Sequence, residues 1–268
     1  RITSFFKNPF ETTMCYDIKT SLETQLKRAK RFNDEQAIRE IEKKLLPYLD
    51  LPLYHASGYS HPKLLIYTSD SPNTPIIASW GLVPHWVKDN IQRKKIWNNT
   101  LNARGETIFE KPSFRESARS KRCLIYIDGF YEHHHFKGKT YPFLIKKKNN
   151  DPVILAGLWS EWVDVETGEI QNTFTIVTTK GNKLLEKIHN NPKLAGPRMP
   201  LILTEKIAEN WIVADLKDNL DVKSLQELIQ PFPDRELESY PVSRLRGKQY
   251  LGNVVEIAKP VTYEDLVF

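Results

Sequence analysis

The sequence predicts a single α+β domain, and three observations predict it. A charged amphipathic helix comes first, six short apolar runs rich in β-branched and aromatic residues follow between positions 63 and 179, and helical patterning returns after Lys180. That order is not the strand–helix alternation of a doubly wound parallel sheet. No internal repeat and no low-complexity linker divides the chain, and 268 residues at 40% hydrophobic content can bury one large core.

Each element has a local reason. Residues 21–46 place Ala37, Ile38, Ile41 and Leu45 on one helical stripe, and Asp50-Leu51-Pro52 ends the segment. The strand candidates are KLLIYT (63–68), IIASW (76–80), CLIYIDGF (123–130), YPFLIKK (141–147), VILAGLW (153–159) and TFTIVTT (173–179), separated by Pro, Gly, Asn and Asp. Two hairpins are expected, at Lys137-Gly138-Lys139 and at Glu166-Thr167-Gly168. Gly181-Asn182 then opens a helical turn around Leu184, Leu185 and Ile188, Thr204 caps a helix holding Ile207, Ala208 and Trp211, and a third helix covers 222–228. The remainder, with Pro231, Pro233, Pro241 and Pro260, reads as an extended arm packed over the core. The expected domain spans 14–261, after a leader or mis-assigned start at 1–13 and before a short tail at 262–268.

Composition narrows the function classes. No stretch approaches the ~18 apolar residues of a membrane span. Cys15 and Cys123 are too few for a disulfide framework and match no zinc spacing, so a reducing, cytoplasmic setting is expected. The net charge of +6 favours polyanionic partners. Lys111, Arg115, Arg119, Lys121 and Arg122 concentrate that charge just downstream of Trp80, Trp86 and Trp97. Either a solvated helix face or a phosphate track accounts for the basic residues, and a basic surface with stacking aromatics is how single strands are held.

Met14-Cys15 carries the sharpest chemistry. If translation starts at Met14, removal of that Met leaves a cysteine with a free α-amine beside its thiol. The amine condenses with an aldehyde to a Schiff base, the thiol adds to the same carbon, and a five-membered thiazolidine closes. The competing reading is a small apolar residue opening a strand. The preceding segment RITSFFKNPFETT has neither a long apolar core nor a small-residue cleavage site, so it is not a secretory signal.

Four further segments hold unusual combinations: WGLVPHW (80–86), NARGET (102–107), DGFYE (128–132), and His189 ahead of Arg198-Met199-Pro200. Glu132 stands out because it follows an apolar strand, where burial raises a carboxyl pKa toward that of a useful proton shuttle. Asn102 as a turn residue and His189 as a helix cap are the structural alternatives. In this order after Met-Cys, together with KPSFR, RCLIYIDGFYE and the later Tyr240-Pro241-Val242-Ser243, the segments resemble the SRAP (SOS response-associated peptidase) family over nearly the whole chain. The resemblance implies a strongly bent mixed, mainly antiparallel sheet or barrel-like core with peripheral helices. It also implies a protein that crosslinks its N-terminal cysteine to abasic sites in single-stranded DNA, acting as a monomer, without a cofactor and away from membranes. Carried over by position, Cys15 is the nucleophile, Asn102 orients its amine, Glu132 transfers protons, and His189 assists sugar-ring opening and reversal. Arg104 resembles the phosphate-binding arginine, with Arg115 and Arg198 as companions; Trp80 and Trp86 either stack on bases or wedge them apart, or pack in the core, the two readings standing equal. Lyase and autoproteolytic side reactions follow from the same implied chemistry.

Three departures bear on that reading. The family often begins Cys-Gly-Arg-Phe, whereas this chain has Cys15-Tyr16-Asp17-Ile18, which removes an arginine that helps hold DNA. The usual Trp after GFYE is His133, followed by His134 and His135; neighbours on a strand point to opposite faces, so no shared metal is expected. The spacer NNPKLAGP between His189 and Arg198 is longer than usual, which would shift the histidine. Two rival functions are an N-terminal-nucleophile cysteine peptidase, with Asn102 contributing to an oxyanion site, and a non-covalent single-strand-binding module in which Cys15 is inert.

Overall fold

A computed structural model of the protein describes residues 16–31, 35–213 and 219–268. In chain order its strands are β1 (Asp17–Thr20), β2 (Leu53–Ser57), β3 (Lys63–Thr68), β4 (Ile76–Trp80), β5 (Asn102–Arg104), β6 (Arg122–Ile127), β7 (Gly129–Phe136), β8 (Lys139–Lys147), β9 (Val153–Val163), β10 (Ile170–Lys180), β11 (Arg198–Pro200), β12 (Ile202–Leu203) and β13 (Leu237–Pro241). Its helices are α1 (Leu22–Gln25), α2 (Lys27–Arg31), α3 (Glu35–Leu45), α4 (Asn90–Trp97), α5 (Arg115–Ser120), α6 (Lys183–Ile188), α7 (Glu205–Val213) and α8 (Asn219–Glu227).

Five of the strands close on themselves. β10 pairs with β4 in parallel, and β4–β3, β3–β6, β6–β9 and β9–β10 are antiparallel, so the ring returns to its start as a small barrel. Closure leaves no free edge among those five strands. The barrel is buried on both sides, which is why β6 reads as an unbroken apolar run rather than an alternation. Leu64, Ile66, Ile125, Leu155, Phe174 and Ile176 share one cluster, while Leu65, Tyr67, Leu124, Ile154 and Val177 pack with Leu26, Ala208 and Trp211 of the covering helical segments.

A second, five-stranded sheet runs β13-β8-β7-β1-β2. Its Ile18, Phe130, Phe143 and Ile145 join the cluster that holds Leu64 and Phe174, so both sheets share one core. Asp128 divides the expected run CLIYIDGF between them: β6 ends at Ile127 in the barrel and β7 starts at Gly129 in the other sheet. Both hairpins form where turn chemistry placed them, with Lys137 and Gly138 at φ 47° and 74°, and Gly168 at φ 71°. Asn182 caps α6 through Leu185 N (3.0 Å), and Thr204 Oγ1 accepts from Ile207 N at the start of α7 (3.4 Å).

The expected single helix over 21–46 is divided. α1 and α2 turn polar side chains inward: Gln25 Oε1 accepts from Leu65 N at 2.9 Å, and Arg28, 2% exposed, forms a bidentate pair with Glu209 (2.7 and 2.8 Å). α3 instead buries Ile41 on the stripe that periodicity marked. The segment after β13 packs over the outer face of the five-stranded sheet, where Val242, Leu245 and Ile257 are buried against Tyr131 and Leu144. Among the described residues no helix is long and apolar enough to cross a membrane.

Candidate active site

The site forms where the two sheets and α6 meet. Glu132 sits on β7 opposite Phe143, its side chain turned to the apolar side of the sheet and 4% exposed. Its Oε1 accepts the backbone N–H of His133 at 3.0 Å. His189 follows α6 directly as its C-cap, its backbone N–H bonded to Leu185 O, and is 3% exposed. The imidazole Nδ1 stands 3.5 Å from Glu132 Oε2 and 3.2 Å from the carbonyl of Arg198. Nδ1 donates to those oxygens in one tautomer and in the other accepts the Arg198 backbone N–H, 3.4 Å away; with Nδ1 protonated, Nε2 carries the lone pair. Among the described residues neither Glu132 Oε2 nor His189 Nε2 has a hydrogen-bond partner. Burial pushes the Glu132 carboxyl up from its ordinary range, against the opposing pull of His189 and of the His133 N–H.

The long spacer does not carry His189 away. Asn190 ties it to β7, donating to His135 O at 3.0 Å and accepting from His135 N at 2.7 Å. The neighbouring histidines are engaged elsewhere: His134 Nδ1 lies 2.8 Å from Lys187 O, and desolvation pushes His133 down to about 4 against the pull of Asp17, so it is neutral at physiological pH. His189 is therefore the imidazole in contact with Glu132.

Asn102 opens β5, which lies parallel to β10 with Asn102 in register with Ile176, and the residue is 5% exposed. The WGL segment fixes this strand. Trp80 Nε1 donates to Leu101 O at 2.7 Å, and Leu82 N donates to Thr100 O at 3.3 Å. Gly81 has φ +115°, and a Cβ there would lie 2.5 Å from the Trp97 ring, whose Nε1 donates to Gly81 O at 2.6 Å. Only glycine fits that bend. Trp80 is 0% exposed and stacks on Phe174, so the expectation that it contacts bases is corrected: it is a core residue that braces the Asn102 strand. Asn102 and the Glu132–His189 pair stand on separate elements.

Arg198 also differs from expectation. Its guanidinium grips Glu106 in a bidentate pair (2.8 and 2.9 Å) and reaches Thr178 O at 2.9 Å. Because its backbone carbonyl meets His189, Arg198 links the NARGET turn to the histidine, and its fork is engaged by protein rather than offered to phosphates. Glu106 had no role in the sequence reading; the fixed spacing NARGET was its only signal. Arg104 and Arg115 are exposed. Trp86, 36% exposed, donates to Pro112 O at 3.3 Å, and His85 meets Glu116 at 2.8 Å, which seats the WGLVPHW loop beside the basic α5 segment. Arg122 leaves that basic group. It is 1% exposed and donates to the carbonyls of Ala118, Arg119 and Trp211, closing the C-terminal turn of α5. Cys15 lies outside the described residues. Tyr16, the residue after it, accepts a 2.6 Å hydrogen bond from Gly58 N and directly precedes the Asp17–Tyr131 pair of β1 on β7.

Residues 17–248 match the family model described as SOS response associated peptidase (SRAP). The chain is 40% identical over 196 residues to abasic site processing protein YoqW of Bacillus subtilis, covering 72% of this chain and 81% of that one. It is 28% identical over 253 residues to abasic site processing protein HMCES of Mus musculus, covering 81% and 68%. A crystal structure of a Bacteroides thetaiotaomicron protein superposes with a TM-score of 0.76 at 30% identity, covering 92% of this chain and 100% of that one.

Proposed function

The chain belongs to the SRAP family, and from that membership and the buried Glu132–His189 pair we propose that it processes abasic sites in single-stranded DNA by forming a thiazolidine through Cys15. The observation that carries the reading is an acid and a base 3.5 Å apart, each with a buried polar atom lacking a hydrogen-bond partner among the described residues. Such atoms are costly unless a ligand completes them. An abasic deoxyribose supplies hydroxyl groups of the right kind.

The steps follow from the groups present. Glu132 in its protonated form gives its proton to the sugar's ring oxygen while His189 Nε2 takes that of the anomeric hydroxyl; the hemiacetal opens to the aldehyde, and the imidazolium returns a proton from Nδ1 to the carboxylate. The unprotonated α-amine of Cys15 attacks that carbon, and loss of water gives the imine; Glu132 shuttles the proton that leaves nitrogen to the departing hydroxyl. The Cys15 thiol then adds across C=N, its proton passing to nitrogen, and the ring closes. Connectivity supports the placement. The β1–β7 pairing ends with Asp17 opposite Tyr131, one residue before Glu132, and Asp17 is two residues from Cys15 in the sequence. Asn102 serves as the polar anchor that orients the amine. Arg104, Arg115 and Trp86 supply the strand-binding surface, with the indole offered to a base.

The mechanism requires Cys15 to be N-terminal, which intact mass of protein from its native gene measures. The decisive test is a denaturing gel of that protein with a single-stranded oligonucleotide bearing one abasic site. A heat-stable shifted band in the wild type, lost in Cys15→Ala, is expected. A Cys15→Ala protein that still crosslinks refutes the nucleophile assignment, and a chain that binds the oligonucleotide without any covalent band refutes the capture chemistry.

A further inference from the structure

The outer face of the five-stranded sheet carries a second charged cluster that the capture chemistry does not use. Asp17 is 3% exposed, yet it is doubly held: His55 Nε2 lies 3.1 Å from one carboxylate oxygen, and Arg246 Nη2 donates to the other at 2.8 Å. His55 is in turn fixed by Tyr250 Oη, 2.9 Å from Nδ1. Burial alone would raise the Asp17 carboxyl, but the His55 hydrogen bond and the Arg246 charge outweigh it and hold the group below the usual carboxylate range. Asp17 is therefore a fixed anion at neutral pH. The arginine it holds is 57% exposed along its side chain. One end of the guanidinium is seated on a buried partner, and the rest of its five-donor fork faces outward.

The segment carrying Arg246 is held on both sides of it. Leu245 is buried with Tyr131 and Val242, and Asn253 Oδ1 accepts from the backbone N–H groups of Tyr54 (2.7 Å) and His55 (3.2 Å). Nearby Arg244 is engaged over the rings of Tyr141 and Tyr263, at 4.8 and 5.0 Å, so it is not offered in the same way. The place is equally specific. Asp17 lies two residues from Cys15 and pairs in register with Tyr131, next to Glu132. Because Arg246 holds Asp17 and Asp17 pairs with Tyr131, the residue before Glu132, the guanidinium stands at the same end of the sheet as the acid–base pair, on the sheet's outer face. A planar fork, pre-positioned and half in solvent beside a site for a polyanion, matches a phosphate.

We infer that Arg246, seated on Asp17, binds a DNA backbone phosphate next to the captured nucleotide. The inference rests on the function proposed above and adds a contact from the C-terminal segment to the surface formed by Arg104 and Arg115. The test is equilibrium binding of the full chain to a fluorescein-labelled single-stranded oligonucleotide containing tetrahydrofuran, an abasic analogue without an aldehyde, across a salt series. Arg246→Ala is expected to weaken binding roughly 3- to 10-fold at about 0.1 M salt and to reduce the salt slope by about 0.7, the contribution of one single-strand phosphate contact. Asp17→Asn combined with Arg246→Ala keeps the net charge of the wild type and leaves no buried carboxylate unpaired, and it is expected to show the same reduced slope. A wild-type slope in that double variant overturns the inference, since the two proteins carry equal net charge and the double variant has no Arg246 fork to meet a phosphate. A wild type that fails to bind the oligonucleotide at low salt overturns the proposed function and this inference together. Normal wild-type binding with an unchanged Arg246→Ala overturns this inference alone.

Discussion

Replacing Glu132 by Gln should make the protein more stable and less active at the same time. The carboxylate is 4% exposed, accepts one backbone N–H at 3.0 Å, and has His189 Nδ1 only at 3.5 Å, too long for a strong charge-assisted hydrogen bond. A buried charge so incompletely compensated costs several kcal/mol. The glutamine keeps the shape and the His133 contact but leaves an amide N–H short of a partner, which returns ~1–3 kcal/mol of that gain. The net expectation is a stabilisation of about 1–3 kcal/mol near neutral pH, or a Tm rise of roughly 2–9 °C for a chain of this size. The sign depends on pH. Burial raises the folded-state pKa of Glu132, so as pH climbs past the unfolded value of about 4.3 the unfolded chain ionises first and the wild type loses stability. The variant has nothing to ionise there, so its advantage should be small in acid and grow toward neutrality. Thermal melts of both proteins from about pH 4 to 7.5 measure the difference. Crosslinking time courses with abasic DNA should show formation slowed ~10²-fold or more, the usual worth of a positioned proton shuttle. A lower Tm for Glu132→Gln at neutral pH, with a difference that does not change with pH, would refute this reasoning and make Glu132 a structural partner of His189.

The remaining predictions separate binding, chemistry and scaffold. Arg104→Ala should weaken single-strand binding and lower its salt slope by about 0.7 without changing Tm, because the side chain is exposed; an unchanged slope assigns it to structure. Arg122→Ala should do the reverse: three carbonyls lose a buried donor, which costs roughly 3 kcal/mol in a denaturant melt, and the salt slope stays that of the wild type. His189→Ala should slow sugar-ring opening and reversal of the finished crosslink more than closure of the thiazolidine, measured as separate formation and release rates; equal wild-type rates in both directions return His189 to a capping role.

The fold class was legible because β6 and most of β3, β9 and β10 are buried on both faces. Continuous runs such as RCLIYI can be read from composition alone, and the hairpins at Lys137-Gly138 and Gly168 carry their own turn chemistry. A barrel-like core was implied by the family resemblance and is borne out, but no local pattern shows how the barrel closes. Closure depends on β4 lying parallel to β10, a pairing between distant segments. The short strands β5, β11 and β12 were hidden for a related reason: two or three residues give no period, and they are extended only because β9 and β10 supply their hydrogen bonds. Polar residues misled most. Arg122 and Arg198 look like members of a basic surface, but a guanidinium can be buried whenever carbonyls or a carboxylate meet its donors, and sequence does not reveal where those acceptors stand. Trp80 likewise reads as a stacking residue until its N–H is found on Leu101 O.

That misreading points to how the site is held. Incompletely satisfied buried groups destabilise, so Glu132 and His189 persist only if the surrounding structure fixes them independently of their own contact. Each is mounted on an element that is secured elsewhere. Glu132 is in mid-strand on β7, paired through β8 and β1; His189 is stapled to β7 by Asn190 and to β11 by the Arg198 carbonyl; and Asn102 is held by the Trp80 indole through Leu101. The Arg198–Glu106 pair then ties the strand that contacts His189 to the turn that follows Asn102. A proton shuttle mounted this way can keep a raised pKa, because the backbone of both residues is secured by contacts other than their own 3.5 Å approach.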